Sequence, residues 1–68
     1  MNGFDWTKQT ALVMKPTLVD PSGTWWVPIT GPYTGDPVRS LLDRQAERMG
    51  LRIVQVNWFR MRAQVRPL

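Results

Sequence analysis

Apolar and polar residues alternate with period two along two stretches near the start of the chain, 8–19 and 24–29, and Asp20-Pro21-Ser22-Gly23 between them has the composition of a turn. This pattern predicts a β-hairpin. With Asp20 paired to Gly23, Leu18 lies opposite Trp25, Pro16 opposite Val27 and Met14 opposite Ile29. One face then carries Leu12, Met14, Leu18, Trp25, Val27 and Ile29, and the other Val13, Lys15, Thr17, Val19 and Trp26. Pro16 and Pro28 cannot donate to a ladder, so interrupted or edge pairing is expected.

The period changes after the Gly/Pro-rich loop 30–37. Val38, Leu41, Leu42, Ala46 and Met49 fall on one side at helical spacing, while Arg39, Asp43, Arg44, Glu47 and Arg48 fall on the other. Asp36 suits the N-cap, Pro37 the first helical position and Gly50 the left-handed position past the C-terminus, which brackets a helix of about three and a half turns. Arg39 with Asp43 and Arg44 with Glu47 have the spacing of helical ion pairs.

From Leu51 to Val65 the chain is rich in β-branched and aromatic residues, without Gly or Pro, and reads as one long strand or two. Its alternation slips midway. Val54 and Val56 share one phase, and Phe59, Met61, Ala63 and Val65 the other; a β-bulge at Asn57-Trp58 places both sets on one face. Arg60, Arg62, Gln64 and Arg66 then line the opposite face, successive members roughly 7 Å apart. A helical face of Trp58, Met61 and Val65 competes over 57–66, and the strand is preferred. The expected order is β-β-α-β, a single small α+β domain with one helix packed on a small antiparallel or mixed sheet. Residues 1–6 and 66–68 are expected to fray unless Phe4 and Trp6 tuck onto the core.

A chain of 68 residues allows one core and buries only about 60% of the surface its unfolded form exposes. Composition then removes most chemistry. Without Cys there is no disulfide, thiolate nucleophile or zinc thiolate site, and without His the commonest general base and metal ligand is missing. Asp43 and Glu47 share a helical face, but Arg39, Arg44 and Arg48 surround them and no third ligand accompanies them. No phosphate-loop, dinucleotide or nucleophile-elbow motif is present, so a non-enzymatic protein with no catalytic residue, cofactor or metal is expected. The longest aliphatic run, Ala11 to Met14, is far short of the roughly 18 residues of a membrane span. Met1 to Thr7 carry no basic residue, unlike a signal peptide, which makes a cytoplasmic location the expectation.

Charge changes the picture most. The net +4 divides into −1 for residues 1–36, with two Lys against three Asp, and +5 for 37–68, with seven Arg against Asp43 and Glu47. Guanidinium groups fork onto phosphate or carboxylate where Lys offers a point charge, although a compositional preference for Arg gives the same count. Arg60, Arg62 and Arg66, extended by Arg52 and by Arg39, Arg44 and Arg48 of the helix, form a candidate phosphate-binding array. A charged strand face that discourages edge pairing accounts for the same residues. Trp26, Tyr33 and Trp58 are candidate interface aromatics, set against burial beneath neighbouring segments.

The sequence does not match RNA-recognition, KH, zinc-finger or helix-turn-helix signatures. A small basic protein that binds DNA or RNA is expected first. A module docking on an acidic protein surface comes second and a homo-oligomer subunit third, with a homodimer in view because a short chain gains core by pairing.

Overall fold

The computed structural model of the chain describes residues 6–14 and 21–68, the side chains of Trp6 and Thr7 excepted. Its elements are a single helical turn α1 (Trp6–Gln9), strand β1 (Trp25–Pro28), helix α2 (Asp36–Arg48) and strands β2 (Leu51–Asn57) and β3 (Arg62–Pro67). The three strands form one antiparallel sheet in the order β1-β3-β2, with α2 packed on one face. The protein is a small α+β domain. Its order is β-α-β-β, because the residues after Gly50 fold into two strands, while of the expected strand 8–19 Lys8 and Gln9 belong to α1 and 10–14 contribute only an isolated bridge.

That bridge pairs Leu12 with Ile29, where the turn at Asp20–Gly23 predicts Met14. The offset is two residues, and an even shift leaves every side chain on its face. Leu12, Val27 and Ile29 are therefore buried as the alternation requires, Trp25 packs against the core, and Met14, beyond the bridge, is exposed. The predicted pairs Leu18 with Trp25 and Pro16 with Val27, like Phe4, lie outside the described residues. What does face β1 is β3, with Trp25 opposite Val65 and Val27 opposite Ala63.

Helix α2 follows its sequence signals closely. Val38, Leu42 and Ala46 are buried, and the Arg39–Asp43 ion pair forms at 3.1 Å. Arg44 and Glu47 make no ion pair among the described residues. The N-cap is Gly35 rather than Asp36, because the Gly35 carbonyl accepts the first helical bond from the Arg39 N–H at 2.9 Å. Asp36 then sits in the first turn, where its carboxylate meets the positive end of the helix dipole. At the other end Gly50 has φ +75 and donates to the Glu47 carbonyl at 3.0 Å, a left-handed exit that a side chain would resist. Met49, counted with the apolar face, is exposed at this exit.

The phase slip in 51–65 has two causes, neither of them a bulge at Asn57-Trp58. The chain reverses over 58–61, and a separate register shift between Ile53 and Gln55 leaves Val54 unpaired and exposed. Asn57 sets up the reversal by accepting the Arg60 N–H on its side-chain oxygen at 3.0 Å, and Met61 ends it with φ +51. Phe59, assigned by phase to the core face, is instead 93% exposed at the tip of the turn. Arg66 and Pro67 belong to β3, and the Leu68 N–H donates to the Gly50 carbonyl at 3.0 Å.

The core joins Val38, Leu42 and Ala46 of the helix to Val27, Leu51, Ile53, Ala63 and Val65 of the sheet, closed at one end by Leu12 and Ile29. Residues 9–13 are held there by polar contacts. The Gln45 side chain donates to the Thr10 carbonyl at 3.0 Å and accepts the Leu12 N–H at 3.1 Å, and the Val13 N–H donates to the Pro28 carbonyl at 2.8 Å.

Candidate functional site

Since α2 covers one face of the sheet, the alternate residues of each strand point away from it. Register sorts them into rows. Arg52 faces Arg66; Gln55, Gln64 and Trp26 lie abreast; Asn57, Arg62 and Pro28 lie abreast. The central strand β3 thus presents Arg62, Gln64 and Arg66 on the open face, as the predicted ladder has it. Arg60 is not on that ladder, because the residues around it form the turn. It rejoins the site by another route: Trp26, Asn57, Arg60 and Arg62 line a pocket of about 190 Å³.

A chain of side-chain hydrogen bonds crosses the sheet through the middle row. Gln55 donates to Gln64 at 2.8 Å, Gln64 donates to the Thr24 hydroxyl at 3.0 Å, and Thr24 lies 2.9 Å from the Ser22 hydroxyl. The ridge holds Gln64 in place between the two arginines of β3. It leaves Arg62 and Arg66 with no ion pair among the described residues.

The charges are segregated. Every described side-chain carboxylate, Asp36, Asp43 and Glu47, belongs to α2, while β1, β2, β3 and the turn 58–61 hold four Arg and no acid. With Asp43 engaged by Arg39, the one described acid without an ion pair that shares a pocket with an open-face arginine is Glu47, beside Arg52 at the sheet edge. Arg52, on the edge strand, also lines a second pocket of about 230 Å³ with Arg39, Asp43, Glu47, Ile53 and Leu68. That pocket mixes both signs of charge and has no aromatic wall.

Of the candidate residues, the sheet therefore gathers Arg52, Arg60, Arg62, Arg66 and Trp26. Arg44 and Arg48 belong to the helix, across the sheet from this group. Tyr33 and Trp58 are half-buried against the core, whereas Trp26 is 36% exposed. Sequence reasoning missed Phe59 and Asn57. Asn57 carries a usable signal, since Asn side chains mimic a backbone turn, and a reversal there exposes the residues that follow it.

Among the described residues no cluster of three His, Cys, Asp or Glu is placed to hold a metal, and no helix is long and apolar enough to cross a membrane. The arrangement offers positive charge, hydrogen-bond donors and an indole surface. Comparison with protein-family models, with curated proteins and with solved structures finds no match to this chain.

Proposed function

We propose that the chain is a small non-enzymatic cytoplasmic protein that binds nucleic acid on the open face of its sheet. One observation carries the reading: Arg52, Arg60, Arg62 and Arg66 surround Trp26 and Gln64 on strands and a turn that hold no carboxylate, the nearest described acids being those of α2 beside Arg52. Phosphate contacts by guanidinium release counterions, so affinity falls with salt in proportion to the number of contacts. Four contacts to a single strand imply a loss of about fiftyfold between about 50 and 200 mM salt. A salt series of oligonucleotide titrations tests this, and an affinity independent of salt contradicts it.

Docking on an acidic protein surface is the second reading, favoured by Phe59, whose side chain is 93% exposed at the hairpin tip beside Arg60. An exposed aromatic next to Arg is a typical binding anchor. Nuclease-treated pulldowns separate the two readings, since only a protein partner survives the treatment in stoichiometric amount.

A further inference from the structure

We propose that the pocket bounded by Trp26, Asn57, Arg60 and Arg62 receives one unpaired nucleobase, so that the protein selects single-stranded over double-stranded nucleic acid. The proposal rests on the nucleic-acid reading above and goes beyond it. Counterion release on its own favours the more densely charged duplex, whereas a stacking surface favours an unpaired strand.

Trp25 and Trp26 are adjacent in β1 and so point to opposite faces, and Trp25 takes the core side. Trp26 is left with its indole on the open face as one wall of the pocket. The register places Gln64 directly across from Trp26 and Arg62 in the next row of the same face, between Pro28 and Asn57. The turn then brings Arg60 back to the same pocket. The volume of about 190 Å³ suits a single planar ring system.

The lining points to the chemistry of the occupant. The pocket wall is mostly apolar, supplied by the Trp26 indole and the aliphatic stems of Arg60 and Arg62, and the Asn57 side-chain oxygen is committed to the Arg60 N–H. A nucleobase offers a planar face to such a wall, and its attached phosphate brings the negative charge that the two arginines favour. Its π-face is free to lie on an indole only when it is not stacked in a duplex.

The test titrates the full chain with four probes: a thymine-only single strand of about a dozen nucleotides, its duplex with adenine, an abasic sugar-phosphate strand of the same length, and a polyglutamate peptide. Each is repeated with Trp26→Ala, Trp26→Phe and Arg62→Glu, with far-ultraviolet circular dichroism confirming the fold of each variant. The expected result is a preference for the thymine strand over both duplex and abasic strand. Trp26→Ala should lose about tenfold or more on the thymine strand alone, Trp26→Phe should retain most of the binding, and Arg62→Glu should weaken all three nucleic-acid probes. Equal binding of abasic and thymine strands, or a Trp26→Ala variant that binds thymine as wild type does, overturns the base pocket and leaves the electrostatic reading standing. Failure to bind any nucleic acid at low salt, or polyglutamate binding as tight as the oligonucleotide, overturns both.

Discussion

Arg52 and Arg66 stand directly opposite each other across the β2–β3 ladder, two like charges in a position where sheets normally place a complementary pair. No ion pair reaches either of them among the described residues. The arrangement costs the free protein stability, and an anion lying between the two guanidinium groups would relieve it. Arg66→Glu is therefore expected to raise stability by about 0.5–1 kcal/mol at low salt, a gain that shrinks as salt screens the pair. Urea unfolding at two ionic strengths measures it. The same variant is expected to bind oligonucleotides less tightly, so stability and affinity should move in opposite directions.

The N-terminal segment depends on one side chain of α2. Gln45 supplies both a donor for the Thr10 carbonyl and an acceptor for the Leu12 N–H, standing in for a neighbouring strand. Gln45→Leu removes both bonds from part-buried backbone groups and is expected to cost about 1–3 kcal/mol. Hydrogen exchange at the Leu12 amide should speed up more than at amides of β2 and β3. Gln45→Glu retains the acceptor alone, so its Leu12 amide should stay the better protected of the two variants.

At Gly31 the same segment passes close to the loop that follows β1. It has φ +86, and an added Cβ would sit 2.8 Å from the Gln9 carbonyl oxygen. Beside it the Thr30 hydroxyl lies 3.1 Å from the Gln9 carbonyl and 3.2 Å from the Ala11 carbonyl, while accepting the Ala11 N–H at 2.9 Å. Gly31→Ala must displace that segment and is expected to cost about 2–4 kcal/mol. Gly23 is the control: its φ is +83 but nothing lies within 4 Å of the point a Cβ would occupy, so Gly23→Ala should cost only about 1 kcal/mol of backbone strain. Equal losses in the two variants, measured by denaturant unfolding, would contradict a steric role for Gly31.

The contrast between α2 and the hairpin explains how much of this molecule is readable from its sequence. Helix α2 is punctuated by residues whose backbone demands are unambiguous, Pro37 inside its start and Gly50 past its end, and its apolar spacing agrees with them. The reversal at 58–61 has no such mark. Its left-handed position is filled by Met61, whose side chain packs against the core, and a β-branched and aromatic run continues through it. The phase slip is visible in the sequence, but a slip of one residue fits a bulge and a turn equally well. The antiparallel pairing of β2 with β3 distinguishes them, and β3 is held in the middle of the sheet by its long-range pairing with β1.

The site divides in the same way. Arg62, Gln64 and Arg66 share a face by local alternation alone, so the ladder is legible in the sequence. The approach of Trp26 and Arg60 to Arg62 is not, since it requires both the strand order and the turn. The separation of Arg44 and Arg48 from the arginines of the sheet and its turn likewise follows from which face of the sheet the helix covers.

The central claim is that binding belongs to the open face of the sheet and not to net charge at large. Its most direct measurement compares two double charge reversals of equal size, Arg62→Glu with Arg66→Glu on the sheet and Arg44→Glu with Arg48→Glu on the helix, in oligonucleotide titrations at fixed low salt. The account predicts that the sheet variant loses about tenfold or more relative to the helix variant and has a shallower salt dependence. Equal losses in the two variants would contradict it.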